Sequence, residues 1–136
     1  VKSGQTMSRL LSHLILVFSL IHATQSVKCF NGTAQLSIDF PATSLPQIMR
    51  DSKERTRSYI TAMRTASKVE CKVGCAAELH DERKLQTVEL GCTTDLPATK
   101  DKCYTDLCND YADRMCKEGL TFDWPSGDIF RYACAP

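Results

Sequence analysis

The sequence predicts a small, disulfide-rich, mainly β domain, and three observations support that fold class. All eight cysteines of the 136-residue chain follow an apolar N-terminal segment, and an even cysteine count in a short exported chain predicts a disulfide framework. Residues 69–79 alternate apolar and polar side chains, which is the period of a half-buried strand. Two other stretches have helical spacing, so the alternative fold is a helical disulfide-bridged bundle.

The segment over residues 7–26 predicts a signal peptide. It starts with Met7 and a basic residue, continues through an apolar run from Leu10 to Ile21, and ends in small residues before Val27. The apolar run is about 12 residues long, whereas a membrane span requires ~20. We therefore expect export and cleavage, not membrane insertion.

The remaining chain predicts one mature domain. Residues 1–6 are expected to be translated upstream sequence outside the fold, and the domain covers 27–136. Within it, we expect a hub over 27–109 and an aromatic tail loop over 110–136. The C-terminal residues form no apolar tail, so neither a membrane span nor a lipid anchor is expected. The expected product is a secreted monomer, free outside the cell.

Composition and residue types argue against a nucleic-acid partner and against catalysis. The formal net charge is +1, which is too close to balance for general nucleic-acid binding. His80 is the single histidine after the leader, and any Ser–His–Asp or Cys–His mechanism would have to use it. We expect it in a solvated turn. Metal-ligand spacings are also lacking, so we expect no enzyme activity, no cofactor and no metal.

The alternating segment predicts a β-hairpin. One strand is predicted from Val69 to Leu79, a polar break that can turn follows over 80–84, and alternation resumes over 87–92. Cysteines then lie on the inward face at both ends of the hairpin. Because Cys71 and Cys75 are four residues apart, a helix through both is the rival prediction.

Two stretches have the three- and four-residue apolar spacing of amphipathic helices. The first runs from Leu45 to Ala66, with Ser44 as a possible N-cap and Pro46 near the first turn. The second runs from Tyr104 to Cys116, with Gly119 positioned to end it.

A joined cysteine pattern carries a family resemblance. Its residues are Cys71, Cys75, Gly91-Cys92 and the closing element Cys103-Tyr-Thr-Asp-Leu-Cys108-Asn109. The pattern resembles the second half of a lymphocyte-antigen/urokinase-receptor three-finger domain. The match covers residues 69–109, with Cys29 as a single anchor upstream. It implies a three-finger-like hub with an enlarged, partly helical first loop, in which Asn109 ties the chain end to the first strand.

The resemblance also implies a disulfide wiring, whereas the count of cysteines alone leaves about 105 pairings open. The implied pairs are Cys29 with Cys75, Cys71 with Cys92, and Cys103 with Cys108. Cys116 and Cys134 remain outside the family pattern, and we expect them to close the aromatic tail loop.

One family bridge is missing from this chain. Lys102 stands where the family has the first cysteine of a doublet, and its usual partner is absent from residues 96–99. The paired absence is coherent, because an orphan thiol would be reactive in an oxidising compartment. The third finger is expected to be very short.

Two sets of residues are candidate partner-binding groups. Arginine forks pair with carboxylates and stack on aromatic rings, and aromatic side chains are common interface anchors. The basic set lies in the first finger and the aromatic set in the tail: Arg50, Lys53, Arg55, Arg57, Arg64 and Trp124. The alternatives are an exposed helix face with internal ion pairs, such as Asp51 to Arg55, and an aromatic residue packed in the core.

These observations predict a secreted, disulfide-stabilised binding protein that presents loops to an extracellular protein partner. The resemblance implies a receptor, a channel or an adhesion molecule as that partner. Asn31-Gly32-Thr33 is an N-glycosylation acceptor sequence, so Asn31 is expected to carry a glycan. The alternatives are a helical cysteine-rich secreted effector or venom-like toxin, and a secreted hydrolase or inhibitor.

Overall fold

The computed structural model describes residues 26–41, 44–118 and 127–136, and the side chains of 127 and 128 are not included. The predicted signal peptide (apart from its last residue), Gly119 and Trp124 lie outside these residues. Five strands and three helices are described. They are β1 (Val27–Ser37), α1 (Leu45–Arg64), β2 (Ser67–Cys71), β3 (Cys75–Glu82), β4 (Leu85–Cys92), β5 (Lys102–Cys103), α2 (Tyr111–Glu118) and α3 (Gly127–Cys134).

The strands form one antiparallel sheet in the order β2-β1-β4-β3-β5. β1 has two partners in succession: residues 27–31 pair with β2, and residues 32–37 pair with β4. The short β5 adds to β3 where Cys103 lies opposite Cys75. The observed fold is therefore a small, disulfide-rich, sheet-based domain with helices, and not the all-helical bundle that was the alternative.

α1 packs one of its faces against the sheet and confirms the predicted first helix. The Oγ of Ser44 accepts a hydrogen bond from the backbone N–H of Gln47 at 3.4 Å, as expected for an N-cap. The core is built mainly from residues of α1, β1 and β4, with contributions from β3, α2 and α3; the inward positions of α1 and β4 were predicted, whereas β1 was not. Its large members include Phe30, Leu36, Tyr59, Ile60, Met63, Val88, Leu90, Met115 and Phe130. Within the described ranges, no helix combines the length and apolar character needed to cross a membrane.

The predicted continuous strand from Val69 to Leu79 is wrong. The chain leaves the sheet over residues 72–74, so that Cys71 ends β2 beside β1 and Cys75 begins β3 on the other side of β4. Gly74 lies in this connection, and only glycine fits there, because a Cβ atom would lie 2.6 Å from the carbonyl oxygen of Cys103. The helix through Cys71 and Cys75, the rival prediction, is not observed either.

The predicted turn over 80–84 is shorter than expected. β3 continues to Glu82, which pairs with Leu85, so the turn consists of Arg83 and Lys84 alone. Lys84 has a φ of 61°, the left-handed conformation found at the second central residue of a type II turn. His80 therefore lies within β3, opposite Thr87, and not in a turn.

The predicted helix from Tyr104 to Cys116 begins only at Tyr111. The preceding residues form turns, and Leu107 has a φ of 54°, which an α-helix cannot contain. Its backbone N–H donates to the carbonyl of Lys28 at 2.7 Å. The Leu107 N–H thus forms a hydrogen bond to β1 in place of the hydrogen bond that it would form within a helix. The aromatic tail contains α3 as well as the residues outside the described ranges.

Buried Tyr59 should make the domain sensitive to alkali. Its hydroxyl donates to Oε1 of Gln86 at 2.9 Å, and burial raises the pKa of Tyr59. Above about pH 10 the unfolded tyrosine loses its proton while the folded one keeps it. The folded state then binds more protons, so the free energy of unfolding falls as pH rises.

This sensitivity can be measured by chemical unfolding at a series of pH values between about 8 and 11. Tyr59→Phe should flatten the decline above pH 10, although it lowers stability at neutral pH through the lost hydrogen bond to Gln86. Tyr104→Phe removes the same hydroxyl from an exposed position and is the matched control. An equally steep decline in Tyr59→Phe and the parent protein would contradict the prediction.

Candidate partner-binding surface

Three disulfides gather at one end of the sheet and a fourth closes the C-terminal segment. The pairs are Cys29–Cys75, Cys71–Cys92, Cys103–Cys108 and Cys116–Cys134. The first three are the pairs that the family resemblance implies, and the fourth is the remaining pair that was expected to close the tail. Cys29, Cys71 and Cys75 are buried together with the other cysteines of the first three bridges around them. We call this cluster of three bridges the hub.

Asn109 ties the chain to the first strand beside the hub. Its side chain is 1% exposed, and its Oδ1 accepts from the backbone N–H of Phe30 at 2.9 Å. Its Nδ2 donates to the carbonyls of Phe30 and Ala76 at 3.0 Å each and to that of Gly91 at 3.5 Å. One amide therefore links three strands, because Phe30, Ala76 and Gly91 belong to β1, β3 and β4.

The third loop, residues 93–101, is held by polar contacts next to Lys102, at the position where the resemblance would place a cysteine. The Nζ of Lys102 donates to the carbonyl of Pro97 at 3.1 Å. The Oγ1 of Thr99 donates to the carbonyl of Ala77 at 2.8 Å. Asp101 forms an ion pair with Arg114 of α2, and this hydrogen bond raises the pKa of Arg114. Non-covalent contacts thus attach the loop to β3 through Thr99, to α2 through Asp101 and to Lys102 of β5 through Pro97.

Two of the predicted binding arginines make internal contacts. Arg55 donates from Nη1 to the carbonyls of Ser37 and Asp39, at 3.2 and 2.6 Å. Its guanidinium also lies 4.4 Å from the ring centroid of Phe40. These acceptors are backbone groups, and not the Asp51 carboxylate that the sequence suggested. Arg55 therefore fixes the connection between β1 and α1.

Arg64 has the corresponding role at the other end of α1. Its Nη2 donates to the carbonyl of Cys134 at 2.9 Å and lies 3.8 Å from the Sγ of Cys116. The guanidinium thus holds the Cys116–Cys134 bridge against α1. No sequence signal identifies this role, because the two contacting segments are 52 and 70 residues away.

The other basic residues lie on the outer face of α1, next to α3. Tyr132 of α3 is 44% exposed, and its ring centroid lies 5.3 Å from the Cζ of Arg57 and 5.6 Å from the Nζ of Lys53. Arg57 also donates to the Tyr132 hydroxyl oxygen at 3.1 Å. We call Lys53, Arg57 and Tyr132 the Tyr132 patch. Arg50 is exposed one helical turn before Lys53.

Sequence reasoning identified Lys53 and Arg57 but did not single out Tyr132. The available signal was the aromatic-rich tail, from which Trp124 was chosen as the anchor, and Trp124 lies outside the described residues. Asn31, the predicted glycosylation site, is exposed on β1. Its Oδ1 faces Gly91 of the neighbouring strand.

Comparison with known proteins gives no relationship for this chain: no family model, no curated protein and no solved structure matches it. The functional proposal therefore depends on the hub and on the Tyr132 patch alone.

Proposed function

We propose that this chain is a secreted binding module with a three-finger-like hub, and that it presents a preformed surface to an extracellular protein such as a receptor, a channel or an adhesion molecule. The observation that carries the proposal is the oxidised hub together with the buried amide of Asn109. Three bridges and one side chain fix β1, β3 and β4 at a common end. Surface residues attached to such a frame lose little conformational entropy on binding.

Two further features support the three-finger-like interpretation. β1 pairs with β2 near the hub and with β4 farther along, and the β3–β4 hairpin starts at Cys75 and Cys92 in the hub and extends away from it to the turn at residues 83–84. The closing element Cys103–Asn109 also makes the contacts that the family resemblance implies. The four oxidised bridges are compatible with an extracellular protein, since disulfides persist in oxidising compartments.

The Tyr132 patch is the surface we favour for partner binding. Tyrosine and arginine are enriched among residues that dominate binding energy. Here the two are already stacked and hydrogen-bonded, so the patch needs little ordering when a partner arrives. Its two cations, with Arg50 nearby, fit a partner surface that carries carboxylates. We therefore propose an acidic patch on an extracellular protein as the recognised feature.

A screen of extracellular receptor, channel and adhesion ectodomains tests the proposal. Oxidised protein secreted from eukaryotic cells should give saturable binding to at least one ectodomain in a surface plasmon resonance array. Arg57→Glu should weaken that binding by about 2 kcal/mol, roughly 30-fold in Kd, because it removes a stacked cation and opposes the acidic partner.

Lys100→Glu is the matched control for this experiment. It makes the same change in net charge at an exposed position in the third loop, away from α1, and should leave Kd within about threefold. Equal weakening by both variants would show that only net charge matters. That result, or a lack of binding to every ectodomain, would overturn the proposal.

The secreted protein should also carry an N-glycan on Asn31. The side chain is exposed and belongs to an Asn-x-Thr acceptor sequence. Digestion with peptide N-glycosidase F should increase the electrophoretic mobility of protein secreted from eukaryotic cells, and Asn31→Gln should migrate like the digested product. Identical mobility before and after digestion would exclude the modification.

A further inference from the structure

The outward face of the β3–β4 hairpin brings three potential metal ligands together. Glu78 lies directly opposite Glu89 in the strand register, and His80 follows Glu78 by two residues on the same face. The Nε2 of His80 is 3.7 Å from Oε2 of Glu78 and 3.7 Å from Oε2 of Glu89. One ligand atom from each of the three side chains lies within 4.8 Å of the others.

A cation between Glu78 and Glu89 would relieve the repulsion between their carboxylates. Like charges directly opposite each other on neighbouring strands destabilise a sheet. All three side chains are partly exposed, at 28% for Glu78, 42% for His80 and 41% for Glu89, so ions from solvent can reach them. A protonated imidazole is one possible cation, and a metal ion bound by the neutral imidazole is the other.

The geometry favours a metal ion of the zinc type. Zinc binds imidazole nitrogen and carboxylate oxygen at about 2.0–2.2 Å with tetrahedral geometry, which sets neighbouring ligand atoms about 3.3–3.5 Å apart. The two separations from the imidazole are 3.7 Å, close to this spacing, and the two carboxylate oxygens lie within 4.8 Å of each other, so a small side-chain movement brings all three to one ion. Calcium and magnesium prefer sites made of oxygen alone, so the imidazole argues against both.

We propose that Glu78, His80 and Glu89 form a surface zinc site with three protein ligands. The fourth tetrahedral position faces solvent, where a water molecule or a ligand from another molecule can bind. The ligands stand on paired strands, which hold them more firmly than a loop would. No sequence motif indicates this site, because Glu89 is distant in the chain and reaches Glu78 and His80 only through the register of the hairpin. The proposal is independent of the Tyr132 patch.

A second candidate group of metal ligands, made of three cysteines of the hub, does not compete for the metal. Cys75, Cys103 and Cys108 are also close together. All three are in disulfides, with Cys29 as the partner of Cys75. Metal ligation by cysteine requires a thiolate, so the oxidised protein has no such ligand at this position.

Isothermal titration of the oxidised full-length mature protein with zinc chloride tests the proposal, slightly above neutral pH and without chelating buffer. We expect saturable binding with one zinc ion per chain, and little heat with magnesium or calcium chloride. Loss of a supporting contact to a metal ligand alone weakens binding about 10–100-fold. His80→Ala and Glu89→Gln remove direct ligands, and each should therefore weaken zinc binding by at least about tenfold.

Glu82→Gln is the matched control, since it removes an exposed carboxylate from the same strand beyond the ligand cluster. It should keep the parent Kd, and circular dichroism should show that all variants are folded. Nuclear magnetic resonance should show zinc-dependent shifts of the His80 imidazole signals. Zinc binding that is as tight in His80→Ala as in the parent protein would overturn the proposal, and so would an absence of saturable binding.

Discussion

Replacing Asn109 with aspartate should lower the free energy of unfolding by about 3–5 kcal/mol, although the two side chains have nearly the same shape. The Nδ2 group donates to the carbonyls of Phe30, Ala76 and Gly91. A carboxylate oxygen in its place would face three carbonyl oxygens without a proton to share. The buried charge would also lose its hydration. Asn109→Ala should cost a similar amount, because it leaves the N–H of Phe30 and the carbonyls without partners.

Guanidinium unfolding of disulfide-intact, unglycosylated protein measures this effect. Asn31→Asp makes the identical chemical change at an exposed position of β1 and should change stability by less than about 0.5 kcal/mol. The difference between the two variants isolates the effect of the buried contacts. A difference below about 1 kcal/mol would show that Asn109 is not the tie that its hydrogen bonds indicate.

Removing the Cys29–Cys75 bridge of the hub should be more damaging than removing the Cys116–Cys134 bridge of the C-terminal segment. The bridge encloses a sequence separation of 46 residues, against 18 for Cys116–Cys134. Chain entropy alone predicts about 4 kcal/mol for the longer loop and about 3 kcal/mol for the shorter one. Both sulfurs of the longer bridge are also fully buried, so the double alanine variant leaves a cavity as well.

The two double alanine variants should also differ in where the structure is lost. Without Cys29–Cys75 we expect loss of cooperative folding at physiological temperature. Without Cys116–Cys134 we expect the sheet to remain, with hydrogen-exchange protection retained in β1 and β4 and lost in α3. Comparable loss of protection in β4 of both variants would contradict the separation of hub and tail. Circular dichroism of each oxidised variant checks that the remaining bridges formed.

Local sequence patterns predict those elements whose contacts are also local. The apolar spacing of α1 and its Ser44 cap correspond to the observed helix, which ends at Arg64 where Ala66 was expected. The alternation over 87–92 corresponds to β4. In both cases the core face follows directly from the period of the element.

The errors occur where distant residues decide the conformation. The alternation from Val69 to Leu79 is regular, yet the chain leaves the sheet over residues 72–74, because β2 pairs with β1 while β3 pairs with β4 and β5. The spacing before Tyr111 is helical, yet the Leu107 N–H bonds to β1. The guanidinium of Arg64 contacts a helix 70 residues later. Contacts between residues so far apart in the chain leave no pattern in a single sequence. It could therefore not be predicted that Arg55 and Arg64 bind backbone carbonyls while Arg57 contacts Tyr132.

β1 is synthesised well before the segments with which it pairs in the folded protein. β1 emerges first during synthesis, but β4 supplies its partner for residues 32–37, and Asn109 follows Phe30 by 79 residues. Such long separations slow folding. Cys29 must also pass over Cys71 to reach its native partner Cys75. We therefore expect native folding to be completed only after translation has passed Asn109.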